Sequence, residues 1–365
     1  MSTLGVGQNI ASEEGALAQS LRLYAGTDQG VSVWRPNGAS WEETGRLDLG
    51  RAVRTMRGSP IHPERVFMGV FSDGLYRTRD AGVHWTKVFT HDHVRAVAID
   101  PSDDDVVYLG TEPIQLYLSE DGGDHWEELS ALQGLPDEVK KRWWAPGEPH
   151  LGHVRDIFIQ PLDPRTIYLS LEHGGIVRTF DRGASWEDVT AGIDYVDIHM
   201  VSSTPGRADR YFTATARGFF ATDDAAEGWE RAETGFTRDY FHDFVFLPPQ
   251  QDGGDPTMLV ATADKSPGSW RRPDGARGAV FRSLDCARSW HQVGEGLPDS
   301  MRENVWAIAL NPNDRNGAFI GLGQAFSEGT DDSEGILMAT SDRGDSWQPL
   351  ELRLPPVRAL WTTGE

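Results

Sequence analysis

Short apolar runs, each bounded by glycine, proline or aspartate, recur along the whole chain. They are too short for amphipathic helices and rich in valine, isoleucine and aromatic residues, so each predicts a β-strand. The runs fall into ordered sets. One series lies near Val53–Met56, Val94–Val97, Val154–Ile157, Ile198–Val201, Asp243–Phe246 and Val305–Ile308. A second series follows each of these after a polar turn, as in Val106–Leu109 and Thr166–Leu169, and a third follows in turn, as in Ile176–Thr179. The runs are continuous rather than alternating, which predicts sheets covered on both faces.

Each set closes on one eight-residue unit. Ser119-Glu-Asp121-Gly-Gly123-Asp-His125-Trp126 is the fullest copy, and units ending at Trp85, Trp186 and Trp347 match it well. Those ending at Trp229 and Trp290 lack the glycine, and the one ending at Trp41 has Pro36 in place of the aspartate. Aspartate bonding its own backbone two residues on, followed by glycine at positive φ, predicts a tight hairpin turn. A self-similar period of this size predicts a propeller or a solenoid. The pattern S/T-x-D-x-G-x-S/T-W resembles the Asp-box, or BNR repeat, of sialidase-like, photosystem II assembly-factor-like and sortilin-like propellers. That resemblance implies an all-β fold, a single seven-bladed β-propeller of four-stranded antiparallel blades, with the Asp boxes structural and away from the functional site.

The first trio of strands, near Leu21–Gly26, Val31–Trp34 and Trp41–Thr44, lacks the strand that opens every other set. Val357–Trp361 supplies it, so the C-terminal strand is expected to close the ring in blade one and remove its open edges. Residues 1–18 are small, polar and unpatterned and read as a flexible N-terminal tail, leaving residues 19–365 for the propeller.

Composition narrows the partners. A net charge of −22 in 365 residues argues against nucleic acid and against an anionic membrane. The single cysteine, Cys286, excludes intrachain disulfides and, with no apolar leader near the start, points to a cytoplasmic protein. A small anionic ligand or substrate, or a protein partner, is the expectation.

Three insertions, at residues 130–149, 263–278 and 323–334, lengthen loops that share one face in propeller topology, and long loops on a rigid scaffold carry function. Arg54, Arg95, Arg155 and Arg358 hold one equivalent place, just after valine, in four inner strands. They are expected to form a crown of guanidiniums suited to a carboxylate, sulfate or phosphate, or else to pair with acids of adjacent blades. Most histidines fall on the same face. His153, Glu172 and His199 are the candidate catalytic groups, and Trp144, His242 and Asp243 join the arginines as binding candidates. His150, His153 and Glu172 are the candidate ligands for an optional divalent metal. The pair Trp143-Trp144 is expected either to stack on a ligand or to plug the channel mouth.

These features predict a hydrolase or lyase acting on an anionic substrate that carries a sugar or an aromatic ring. Sialidase relatives use an arginine triad on this face. The chain has no F/Y-R-I-P motif and no tyrosine nucleophile with an acid partner, Tyr240 being the nearest candidate, so sialidase activity itself is not expected. The alternative is a non-catalytic binding or assembly module of the same repeat type.

Overall fold

A computed structural model describes residues 21–145, 150–298, 301–324 and 334–364. The expected tail lies outside them. Seven four-stranded antiparallel sheets are arranged as the blades of one ring. Blade one is assembled from both ends of the chain, with Val357–Thr363 innermost, followed by Arg22–Thr27, Gly30–Asn37 and Ser40–Asp48. The closing register runs from Arg22 opposite Thr363 to Thr27 opposite Val357. The other six blades are consecutive stretches of chain, and their inner strands are Val53–Gly58, Val94–Asp100, His153–Ile159, Ile198–Ser203, Tyr240–Leu247 and Asn304–Leu310. No helix among the described residues is long and apolar enough to cross a membrane.

The core is distributed between blades, as continuous apolar runs demand. Phe212, Phe219, Phe241, Phe244, Phe281 and Trp290 fill one interface, and Leu259, Val305, Ile320 and Trp347 belong to the next. Small residues let the inner ends converge. A Cβ on Gly26, Gly69, Gly110 or Gly321 would lie 2.5–2.7 Å from a side chain of Val53, Val94, Val154 or Val357 on the next blade. Those four valines immediately precede the four crown arginines, so the glycine contacts help fix where the arginines start.

The eight-residue units form turns between third and fourth strands, at the end of the blades away from the arginines. Their bonding differs from the expected pattern in reach. In the fullest copy, Asp121 Oδ1 accepts the backbone N–H of His125, four residues on, at 2.9 Å. Ser119 Oγ accepts the N–H of Gly123 at 2.8 Å and donates to Asp121 at 2.9 Å. Aspartate therefore spans the whole turn rather than its first half. The copy at Ser283 keeps this network with Ala287 at φ 66°, where the four best-matched copies use Gly82, Gly123, Gly183 and Gly344. The closing tryptophans divide: Trp229, Trp290 and Trp347 are buried, whereas Trp41, Trp85, Trp126 and Trp186 are half-buried.

Candidate functional site

Every inner strand carries a β-bulge at its mouth end. The paired registers skip one residue at Arg54, Arg95, Arg155, His199, His242, Trp306 and Arg358, one per blade. A bulge leaves its extra residue out of the ladder and re-aims its side chain. Here all seven are turned to the shared channel. Arg54, Arg95, Arg155, His242, Trp306 and Arg358 line a mouth cavity of about 220 Å³, together with His153, Glu172, Tyr240 and Pro267. A second cavity of about 490 Å³ continues down the channel past His199, Asp243 and Trp361.

The ring has two chemically distinct halves. Blades one to four present the four guanidiniums, and blades five to seven present His199, His242 and Trp306. Three of the arginines are held by acids of the chain. Arg358 forks onto Asp28 through bonds of 2.7 and 2.6 Å. Arg95 donates to Glu112 at 2.8 Å. Arg155 lies 3.6 Å from Glu172 and donates to His242 Nε2 at 3.1 Å. Arg54 differs. It makes no ion pair among the described residues, its buried Nε has no hydrogen-bond partner, and its guanidinium lies 5.2 Å from the centre of the Phe71 ring. Burial, then the charges of Arg358 and Arg95, pull its pKa down to about 10. A cation suppressed by its neighbours in this way marks a place where negative charge is missing.

Proton-transfer groups adjoin that gap. His153 and Glu172 are directly opposite across adjacent strands, and His153 Nε2 lies 2.9 Å from Glu172 Oε2. His153 Nδ1 is 3.6 Å from Glu112, so one imidazole stands between two carboxylates. Burial alone would raise the Glu172 carboxyl, but the charges of His153 and Arg155 and the His153 hydrogen bond hold it well below the usual range. Behind it, burial and the Glu172 charge push Asp197 well above the usual range. His199 Nδ1–H donates to the Phe241 carbonyl at 2.5 Å. Burial and then Arg155 hold His199 down to about 4, so it is neutral at pH 7. His242 is held well below its ordinary value by burial and by Arg155. Since its Nε2 accepts from Arg155, its proton is on Nδ1, which is buried without a partner.

The aromatic wall is continuous. Tyr240 lies 4.8 Å from His199 and 5.1 Å from Trp270, and Trp306 lies 4.9 Å from His242 between ring centres. Trp270 and Pro267 come from the 263–278 insertion, which thereby borders the mouth. The described part of the 130–149 insertion instead buries Leu132, Leu135 and Val139 against the neighbouring blades. Most of the 323–334 insertion lies outside the described residues. Trp143 packs against that same core. Trp144 is 53% exposed and stacks on His150 at 5.0 Å, and neither Trp144 nor His150 is among the residues lining the mouth.

The sequence reading brought together all four arginines with His153, Glu172, His199 and His242, but it passed over Trp306, Asp28 and Glu112. Trp306 was recoverable, because it follows Val305 in the slot the arginines hold after their valines. Asp28 and Glu112 follow the ends of two second strands, as Glu172 ends a third, and only an alignment of blades exposes that shared position.

Asp243, in the channel, accepts the backbone N–H of Ile308 at 3.1 Å. Burial raises its carboxyl to about 6. The folded state thus holds this proton more tightly than the unfolded chain. Stability is highest below the unfolded pKa of about 4 and falls as pH rises through 6. Asp243→Asn keeps an acceptor for Ile308 and removes the charge. It should stabilise the protein near pH 8 by about 1–3 kcal/mol, and this gain should vanish near pH 4. Denaturant titration at both pH values checks this, and an equal gain at both would contradict it.

No protein-family model matches the chain, and no curated protein sequence resembles it significantly. Solved structures do. A GH74 xyloglucanase from Xanthomonas campestris superposes with a TM-score of 0.63 at 16% identity, over 90% of this chain and 52% of that one. YCF48 bound to D1 peptide gives 0.54 at 15% identity, covering 90% and 84%. The dihydro-heme d1 dehydrogenase NirN gives 0.56 at 9% identity, covering 94% and 75%. The chain spans about half the length of the xyloglucanase and of a second GH74 enzyme, from Niastella koreensis. At such identities the likeness is one of fold, shared by proteins that hydrolyse glycans, bind peptide and act on a haem.

Proposed function

We propose that the mouth binds a small anion bearing a sugar or aromatic ring, and that the protein is a hydrolase or lyase acting on it. The observation that carries this reading is Arg54, a half-buried arginine whose Nε is buried without a partner and which has no acid of its own among the described residues, facing other guanidiniums across a cavity large enough for such a ligand. An anionic group there would complete the charge balance of the crown. Trp306 and Tyr240 wall the same cavity and offer flat faces to a ring. Arg155 and Arg358 bracket the anion, while His153, oriented by Glu172 and Glu112, takes or returns the proton of the bond that breaks. His199 Nε2, with its Nδ1 proton committed to Phe241, is a neutral acceptor deeper in the channel. The eight-residue turns support placing the chain among the Asp-box propellers, and its lone buried cysteine supports a reducing, cytoplasmic setting.

One observation favours a second reading. Three of the four arginines already have acids of the chain, which suits a binding or assembly module that holds an anion without transforming it. Both readings share the anion site, and it can be tested first. Glucuronate, benzoate and sulfate should raise the melting temperature of the wild-type protein. Arg54→Met should abolish the shift while folding normally, the loss corresponding to a stabilisation of roughly RT ln(1 + [L]/Kd). An unchanged shift in Arg54→Met would place the anion elsewhere. Turnover of 4-nitrophenyl uronides by the wild type then separates enzyme from module.

A further inference from the structure

Behind the mouth, blades four and five bring together a cluster of histidines and carboxylates. Asp197, Glu172 and His173 place ligand-type atoms within 4.8 Å of one another. His199 stands outside this trio but adjoins it, its Nε2 lying 3.6 Å from Asp197 Oδ1. On the other side of the same carboxylate, His173 Nε2 lies 3.5 Å from Asp197 Oδ2. From these contacts we infer a divalent transition-metal site, of the kind that takes zinc, held by His173, His199, Asp197 and Glu172.

Three features of the geometry support it. Separations of 3.5–3.6 Å are too long for good hydrogen bonds. They match the spacing of neighbouring ligands on a tetrahedral ion with bonds of about 2.0–2.2 Å, which lie roughly 3.3–3.6 Å apart. Asp197 is also only 8% exposed, and its Oδ1 is buried with no hydrogen-bond partner, a costly state for a carboxylate unless something positive adjoins it. Lastly, His199 Nδ1–H is bound to the Phe241 carbonyl, which leaves Nε2 with its lone pair toward Asp197. A backbone carbonyl fixing one ring nitrogen so that the other can ligate is the usual support of a metal-binding histidine. Two imidazoles and two carboxylates are the donor set of zinc and of other first-row ions rather than of calcium or magnesium.

This set differs from the one the sequence suggested. Glu172 is common to both, but His150 stacks on Trp144 away from the mouth, and His153 stands on the far side of Glu172, between that residue and Glu112. An ion here would carry two positive charges against the two carboxylates. It would sit one residue behind the cavity wall, where Glu172 reaches both the ion and His153. The inference shares Glu172 and His199 with the proposed proton-transfer groups but not with the anion site, since none of the four ligands is a crown arginine.

The experiment uses the full chain, stripped with a chelator and dialysed, and titrated with zinc and with cobalt alone. The expected result is one equivalent of tightly bound zinc, and visible absorption from cobalt with the intensity of a low-coordinate site. His199→Ala and Asp197→Asn should each lower affinity at least tenfold to a hundredfold, with far-ultraviolet dichroism unchanged. Should either variant fold poorly, His173→Gln, nearer the surface, should show the same loss. Arg54→Met should bind zinc like the wild type, which separates this result from any failure of the anion site. Absence of stoichiometric binding, or binding that survives in His173→Gln and His199→Ala but is lost in His150→Ala or His153→Ala, would overturn the assignment.

Discussion

Ending the chain at Pro355 should abolish the cooperative fold. The lost segment is the inner strand of blade one, paired along its whole length with Arg22–Thr27 and packed on the inner strands of both neighbouring blades. Val357 and Leu360 are buried and Trp361 is half-buried, so at about 1.5–3 kcal/mol each the three contribute at most roughly 4.5–9 kcal/mol. Asp28 also loses the fork of Arg358, and the backbone of Arg22–Thr27 becomes an open edge beside the channel. Against a typical stability of about 5–15 kcal/mol, little remains. The truncated chain should show no sharp thermal transition and should aggregate. A permuted chain gives the complementary result. Thr363 lies opposite Arg22, so a strand made of residues 355–364, joined by a short linker ahead of Leu21, can form a hairpin in the native register. That chain should recover the cooperative transition. A truncated protein that melts like the wild type would show that the ring does not depend on this closure.

His153→Ala should reduce turnover by about 10²–10⁴-fold, the range for loss of a positioned proton-transfer group. The affinity for a bound anion, read with glucuronate or sulfate, should change little, because the guanidiniums that meet it are left unaltered. The split follows from geometry. His153 touches Glu172 and stands near Glu112, on blades four and three, whereas Arg358 and Arg54 lie on blades one and two. His153→Gln, which keeps polar contact with Glu172 but cannot exchange the proton, should be as slow as His153→Ala. A KM effect without a kcat effect would instead assign His153 to binding. Wild-type protein that binds anions tightly and turns over none of the uronides would leave the binding module as the function.

Much of this was legible in the chain because its information is local and repeated. A strand buried on both faces reads as a continuous apolar run, and a turn that needs positive φ and a short acceptor reads as aspartate and glycine. Seven repeats of such signals add up where one would be ambiguous. The arginines were legible for a related reason: a position repeated by symmetry must face the same axis, and the sequence shows four arginines in that position. Trp306 was equally placed in the chain, but its indole does not announce a ligand as a guanidinium does.

What no stretch of sequence shows is which partner a side chain reaches across the ring. That Arg358 is neutralised by Asp28, 330 residues away, while Arg54 is left without an acid, depends on which blade ends converge at the channel. So does the spacing of Asp197 between His173 and His199, and so does the withdrawal of Trp144 and His150 from the mouth. The sequence by itself determined the strands, the turns, the number of blades and the closing strand, because hydrogen-bonding and burial needs of neighbouring residues specify them. The charge balance of the mouth and the metal-like cluster behind it were decided only by the tertiary structure. Electrostatic pairing and ligand geometry depend on distances of a few ångströms between residues far apart in the chain, and the closure of the ring sets those distances.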